Sequence, residues 1–99
     1  MEYRNLPKSC GVYGIINNKN NKVYIGYSTN VRERVYVHLK HLQEGRHANE
    51  ILQEEWKRDK EYFTARLLDP TNDRSMEIVY IQKYSKATEL YNIRSVKTK

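Results

Sequence analysis

The 99-residue chain predicts an α+β domain: a small three-stranded antiparallel sheet flanked by helices, in the order β-β-α-α-β-α. Three observations predict it. Two runs rich in β-branched and aromatic residues, "VYGIIN" at 12–17 and "KVYIGY" at 22–27, flank the polar "NKNN" of 18–21. Two stretches with apolar residues at helical spacing follow, separated by Gly45. The alternating "EYFTARLLD" at 61–69 is then stopped by "PTND" ahead of another helical stretch. The length bounds the chain to one domain, residues 1–99.

Each element has a local cause. Asn tolerates left-handed backbone conformations, so 18–21 is the turn of an antiparallel hairpin. Gly26, inside the second strand, marks a bulge or a close backbone approach. Ser28, Thr29 and Asn30 are N-cap candidates for the first helix. Val31, Val35, Leu39 and Leu42 recur along it, and Gly45 ends it. "ANEILQEEWKRDK" at 48–60 is the second helix, with Ile51, Leu52 and Trp56 on its apolar side. A third helix spans about 74–85, with Met76, Ile78, Val79 and Ile81 as its apolar residues. The tail "ATELYNIRSVKTK" has no clear periodicity, and its last residues are expected to be loose.

Composition narrows the function. Hydrophobic residues make up 38% of the chain and charged residues 30%, which places it among folded rather than disordered sequences. No apolar run approaches the roughly 20 residues of a membrane span, and "MEYRNLPKSC" lacks the apolar stretch of a secretory signal. Cys10 is the only cysteine, so neither an internal disulfide nor a cysteine zinc site is available. A cytoplasmic protein with no membrane partner is expected. Eighteen basic and twelve acidic residues give a net charge of +6, which favours a polyanion through counterion release. Charge does not separate DNA from RNA or from an anionic membrane surface. Nine tyrosines against one Phe and one Trp mean that most aromatic rings carry a hydroxyl, which suits nucleic-acid contact beside Lys and Arg.

One constellation carries chemistry. Arg34, His38 and His41 sit at i, i+4 and i+7, on a helix face adjacent to the apolar stripe. Tyr13 and Tyr24 lie on the hairpin. The planar Arg fork matches phosphate oxygens, and His donates, accepts or shuttles a proton near neutral pH. Singly, each has an ordinary reading: a solvated helix face, hairpin tyrosines in the core, Glu77 as a solvent-facing or capping carboxylate, His47 as a loop histidine past the Gly45 stop.

Together they resemble a known family. Gly11-Val12-Tyr13, then Tyr24-Ile25-Gly26, then Arg34 eight residues after that glycine, is similar to the GIY-YIG nuclease superfamily, with Val in place of Ile in the first tripeptide. His38 stands one turn after the Arg, Glu77 falls in the third helix, and "YNI" at 91–93 resembles a C-terminal motif of the family. "GRHANEILQEEWKR" resembles the branch of phage intron-encoded and free-standing homing endonucleases. The resemblance covers about residues 10–94.

The resemblance implies the GIY-YIG nuclease fold and a metal-dependent DNA endonuclease that hydrolyses phosphodiester bonds. It implies one divalent ion, Mg²⁺ or Mn²⁺, on Glu77 as the single metal-binding carboxylate. Arg34 would grip a non-bridging phosphate oxygen. Tyr13 would activate or orient the water, and Tyr24 would hold the phosphate or relay a proton. A phenol of pKa about 10 is a poor base at neutral pH, so Tyr13 needs Lys22, the metal or His38 to lower it. His38 would orient a tyrosine or contact the phosphate. Lys22, His47 and Asn92 would support the site, Asn92 by closing it. Lys40, Arg46, Lys57 and Arg58, with Lys8 and Lys60, are candidate DNA contacts.

Two other functions compete. A binding module that kept the fold without the chemistry is disfavoured by the full Tyr, Tyr, Arg, Glu set. A structure-specific repair or recombination nuclease is disfavoured by the homing-like stretch. Homing members usually carry a separate DNA-binding region, so target choice is expected to come from this domain, from a homodimer, or from a separate DNA-targeting domain or protein.

Overall fold

The structure, a computed structural model, describes residues 1–92. Ile93 and the last residues of the tail lie outside the described residues. The element order is β1 (Gly11–Asn17), β2 (Lys22–Ser28), α1 (Val31–Gln43), α2 (Glu50–Asp59), a 3₁₀ turn (Lys60–Tyr62), β3 (Phe63–Asp69) and α3 (Met76–Ser85). The sheet is antiparallel with strand order β2-β1-β3. The expected β-β-α-α-β-α architecture is therefore present.

Alternation along the strands sorts side chains onto two faces. Tyr13 and Ile15 of β1 join Val31, Val35, Leu39 and Leu42 of α1 and Leu52 and Trp56 of α2 in one core. Val12 of β1 and Val23, Ile25 and Tyr27 of β2 form a second core, against which Met76, Tyr80, Ile81 and Tyr84 of α3 pack. Full burial of an aliphatic side chain such as Val31, Val35 or Leu52 is worth roughly 1.5–3 kcal/mol. The sheet is thus covered by α1 and α2 on one face and by α3 on the other.

The turns follow the local chemistry. Asn21 takes a φ of 65° in the hairpin turn. Of the three N-cap candidates, Asn30 caps α1, its side chain accepting from the Glu33 N–H at 3.1 Å. Gly45, at φ +76°, ends α1 by donating its N–H to Leu42 O. Asn49 caps α2 by accepting from the Leu52 N–H.

Two helix faces differ from expectation. Ile51 is exposed, and α2 instead buries Leu52, Gln53, Glu55, Trp56 and Asp59. Its two buried carboxylates find partners on the hairpin: Asn17 Nδ2 donates to Glu55 and to Asp59, and Lys22 Nζ pairs with Glu55 at 2.8 Å. Ile78 and Val79 of α3 are also exposed, because the helix packs through positions 76, 80, 81 and 84.

Residues 89–92 run along the open edge of β2. Val23 N–H donates to Glu89 O, and Tyr91 N–H donates to Val23 O. Asn92 continues the pairing with its side chain, accepting from the Ile25 N–H at 2.9 Å and donating to Ile25 O at 2.8 Å. Both backbone neighbours of Tyr24 are thereby held.

Candidate active site

The site begins with the hairpin register. Tyr13 pairs with Gly26, and Tyr24 with Ile15, which puts both tyrosines on the sheet face that α1 covers. The Tyr13 ring lies directly over Gly26: a Cβ at residue 26 would come within 2.5 Å of Tyr13 Oη. Gly26 is thus a close backbone approach, and the approach is to a site tyrosine.

α1 supplies the next groups. His38 Nε2 is 2.8 Å from Tyr13 Oη, and His38 Nδ1 is 2.8 Å from His47 Nε2. The two imidazoles lie 5.0 Å apart and nearly parallel, and Tyr24 sets its ring edge-on to His38 at 5.2 Å. Arg34, one turn before His38, is exposed. Arg34 favours the ionised Tyr13 phenol, and the charge of Glu77, in the first turn of α3, opposes it. Glu77 is half-buried. An open cleft of about 540 Å³ is lined by Tyr24, Arg34, His38, His41 and His47, with the start of α1 at its rim.

The electrostatics separate the groups. Tyr13 is 1% exposed. Burial, followed by the neighbouring Tyr24, pushes its pKa above the ordinary phenol value; Arg34 opposes this in part. Burial, then His47, Arg34 and His41, push His38 down to about 3, so its ring is neutral at physiological pH. Burial and His41 lower His47 as well.

Residues 9–94 match the sequence profile described as the GIY-YIG catalytic domain. The chain belongs to the GIY-YIG family. Among solved structures it is similar to the catalytic domain of the homing endonuclease I-TevI, with TM-score 0.68 and 26% identity over 79% of this chain and 86% of that one. A glutamate-to-alanine variant of the I-TevI catalytic domain matches with TM-score 0.64 and 28% identity, over 78% of this chain and 80% of that one. No curated protein sequence matches.

In this GIY-YIG domain Tyr13, Tyr24, Arg34, His38 and His47 come together, while Glu77, in the first turn of α3, is not among the residues lining the cleft and acts on Tyr13 through its charge. Lys22 departs from expectation. Its ammonium turns to Glu55 and over the Tyr91 ring, not to Tyr13. The Tyr13 pKa is raised rather than lowered: burial and then Tyr24 push it up, Arg34 offsets them only in part, and Lys22, engaged with Glu55, does not act on it. His38 is buried, which favours orienting a tyrosine over holding a phosphate. Asn92 braces the β2 edge with its amide.

Three of the six candidate DNA contacts are tied to carboxylates. Lys40 and Arg46 flank Glu44 at 3.7 and 2.7 Å, and Arg58 grips the buried Asp59 at 2.7 Å. Lys57 and Lys60 line a groove beside Trp56, between the end of α1 and α2.

Sequence reasoning passed over three supporting residues. Gln53 accepts from the His47 N–H at 2.8 Å and donates to Leu42 O, which pins the loop that carries His47. Asn49 donates its backbone N–H to His47 Nδ1 at 3.0 Å. Arg32 donates from Nε to Leu6 O at 2.7 Å and anchors α1 to the N-terminal segment. The N-cap rule marks Asn49 as the start of a helix; nothing in the sequence marks its backbone N–H as a partner of the site.

Proposed function

We propose that this GIY-YIG domain is a divalent-metal-dependent endonuclease that hydrolyses phosphodiester bonds in DNA, of the homing type. The observation that carries the reading is Tyr13 held by His38, beside an open cleft walled by Tyr24, Arg34, His38 and His47, with the charges of Arg34 and Glu77 acting on its phenol. The likeness to the I-TevI catalytic domain supports it.

Hydrolysis requires an activated water, stabilisation of charge at phosphorus and neutralisation of the leaving oxygen. Arg34, exposed on the cleft wall, offers its fork to a non-bridging oxygen. Tyr24, on the same wall, holds the phosphate by its hydroxyl. Tyr13, held by His38, orients the water.

Among the described residues no group of three His, Cys, Asp or Glu side chains is placed to cage a metal. The half-buried Glu77 is a single hard oxygen donor. That donor set fits Mg²⁺ or Mn²⁺ retaining its waters and sharing a substrate phosphate. When bound there, the ion supplies positive charge at the phosphate and the leaving oxygen.

Supercoiled plasmid tests the proposal. Relaxation or linearisation with Mg²⁺ or Mn²⁺, abolished by EDTA and by Arg34→Ala or Glu77→Ala in folded protein, is the expected result. DNA binding without cleavage in either metal, on plasmid and on branched duplexes, would make the chain a binding module instead.

A further inference from the structure

The hydrogen bonds around His47 set the direction of a relay that ends on Tyr13. The Asn49 backbone N–H can only donate, and it donates to His47 Nδ1. His47 Nδ1 therefore carries no hydrogen, so the ring is neutral with its hydrogen on Nε2. That Nε2–H faces His38 Nδ1 at 2.8 Å, which makes His38 Nδ1 an acceptor and leaves the His38 hydrogen on Nε2. Nε2 is the atom 2.8 Å from Tyr13 Oη.

We propose that Asn49 and His47 are positioning residues that lock His38 in its Nε2–H tautomer, a standing donor to Tyr13 Oη. The proposal rests on the nuclease reading of the same site. The start of the relay is rigidly held. His47 donates its own backbone N–H to the buried Gln53, and the Asn49 side chain both caps α2 and donates to Tyr91 O at 2.6 Å. The lowered proton affinity of both rings agrees with two neutral imidazoles.

The polarity has a chemical consequence. His38 has no free lone pair at Nε2, so it is not the group that removes the Tyr13 proton. The hydroxyl hydrogen of Tyr13 points away from His38. Negative charge developing on Tyr13 Oη meets an N–H already in place, with Arg34 beside it.

The test is a long-range ¹H–¹⁵N correlation spectrum of the histidine rings in the full, ¹⁵N-labelled chain at neutral pH, on wild type and His47→Phe. It is run beside the plasmid cleavage assay. The expected spectrum shows His38 and His47 neutral, each with a bare Nδ1 and a protonated Nε2. In His47→Phe the His38 ring should lose its single-tautomer signature, and cleavage should slow on the order of tenfold with plasmid binding unchanged.

A His38 hydrogen on Nδ1, a charged ring at either position, or an unaltered His38 signature in His47→Phe overturns the relay. Should His47→Phe not fold, the wild-type spectrum alone decides. The expected tautomers in a chain that never cleaves DNA would uphold the relay and refute the nuclease; cleavage with reversed tautomers would do the opposite.

Discussion

A methyl group at residue 26 would occupy the space now filled by the Tyr13 phenol. Gly26→Ala should therefore destabilise the fold by about 1–3 kcal/mol, the usual cost of overpacking. It should also abolish cleavage by displacing Tyr13; urea unfolding and the plasmid assay measure the two effects. His38 makes a second prediction at this scale. Its folded pKa of about 3 lies far below the ordinary value of about 6.5. Between those values the unfolded chain binds the extra proton and the folded chain does not. This contribution to stability is complete above pH ~6.5 and is lost progressively as the pH falls toward 3. The melting temperature of the wild type should drop between pH 7 and 5, and the slope should be shallower in His38→Gln. A slope unchanged by the substitution would show that the acid sensitivity comes from other groups.

At the scale of elements, α2 shows why part of the fold was hidden in the sequence. Apolar spacing reveals a helix, and Leu52 and Trp56 are indeed buried. Spacing does not mark Glu55 and Asp59 as buried, because carboxylates are rarely buried without partners. Their partners come from the hairpin turn, α2 itself and the C-terminal segment: Asn17, Asn20, Lys22, Arg58 and Tyr91. No local pattern announces contacts between residues so far apart in the chain. Burial opposes ionisation of Glu55, yet hydrogen bonds from Lys22, Tyr91 and Asn20 hold its pKa down to about 2. Glu55→Ala leaves those donors unanswered and should cost about 3–5 kcal/mol, read from the denaturation midpoint. The same reasoning explains α3. Its apolar residues cover more than one face, so spacing alone could not choose the packed set, and Ile78 and Val79 remain outside. The candidate tyrosines, Arg34 and Glu77 could be picked out because two tripeptides, a helix and a later carboxylate stand in a recognisable order. The bonds that orient them were not legible, because they run through the Asn49 backbone and the Gln53 amide.

Over the whole molecule, both ends of the described chain brace the site. The carbonyls of Ser9 and Pro7 accept from the first N–H groups of α1, and Leu6 is buried in the core. Residues 89–92 hold β2 on either side of Tyr24. Deleting residues 1–8 should loosen α1 and lower both the melting temperature and the cleavage rate, since α1 carries Arg34 and His38. Calorimetry alongside the plasmid assay checks this; a deletion that melts lower and cleaves at the full rate would separate the brace from the site.

The most direct measurement is of the site itself: cleavage of supercoiled plasmid by wild type and Glu77→Ala in Mg²⁺, with circular dichroism to establish that both are folded. Glu77 is half-buried and capped by no hydrogen bond to the core among those described, so its removal should leave the melting temperature nearly unchanged. Metal-dependent cleavage by the wild type, reduced at least about a hundredfold in the variant, is the predicted result. Equal cleavage by the two folded proteins would contradict the assignment of Glu77 and the mechanism built around it.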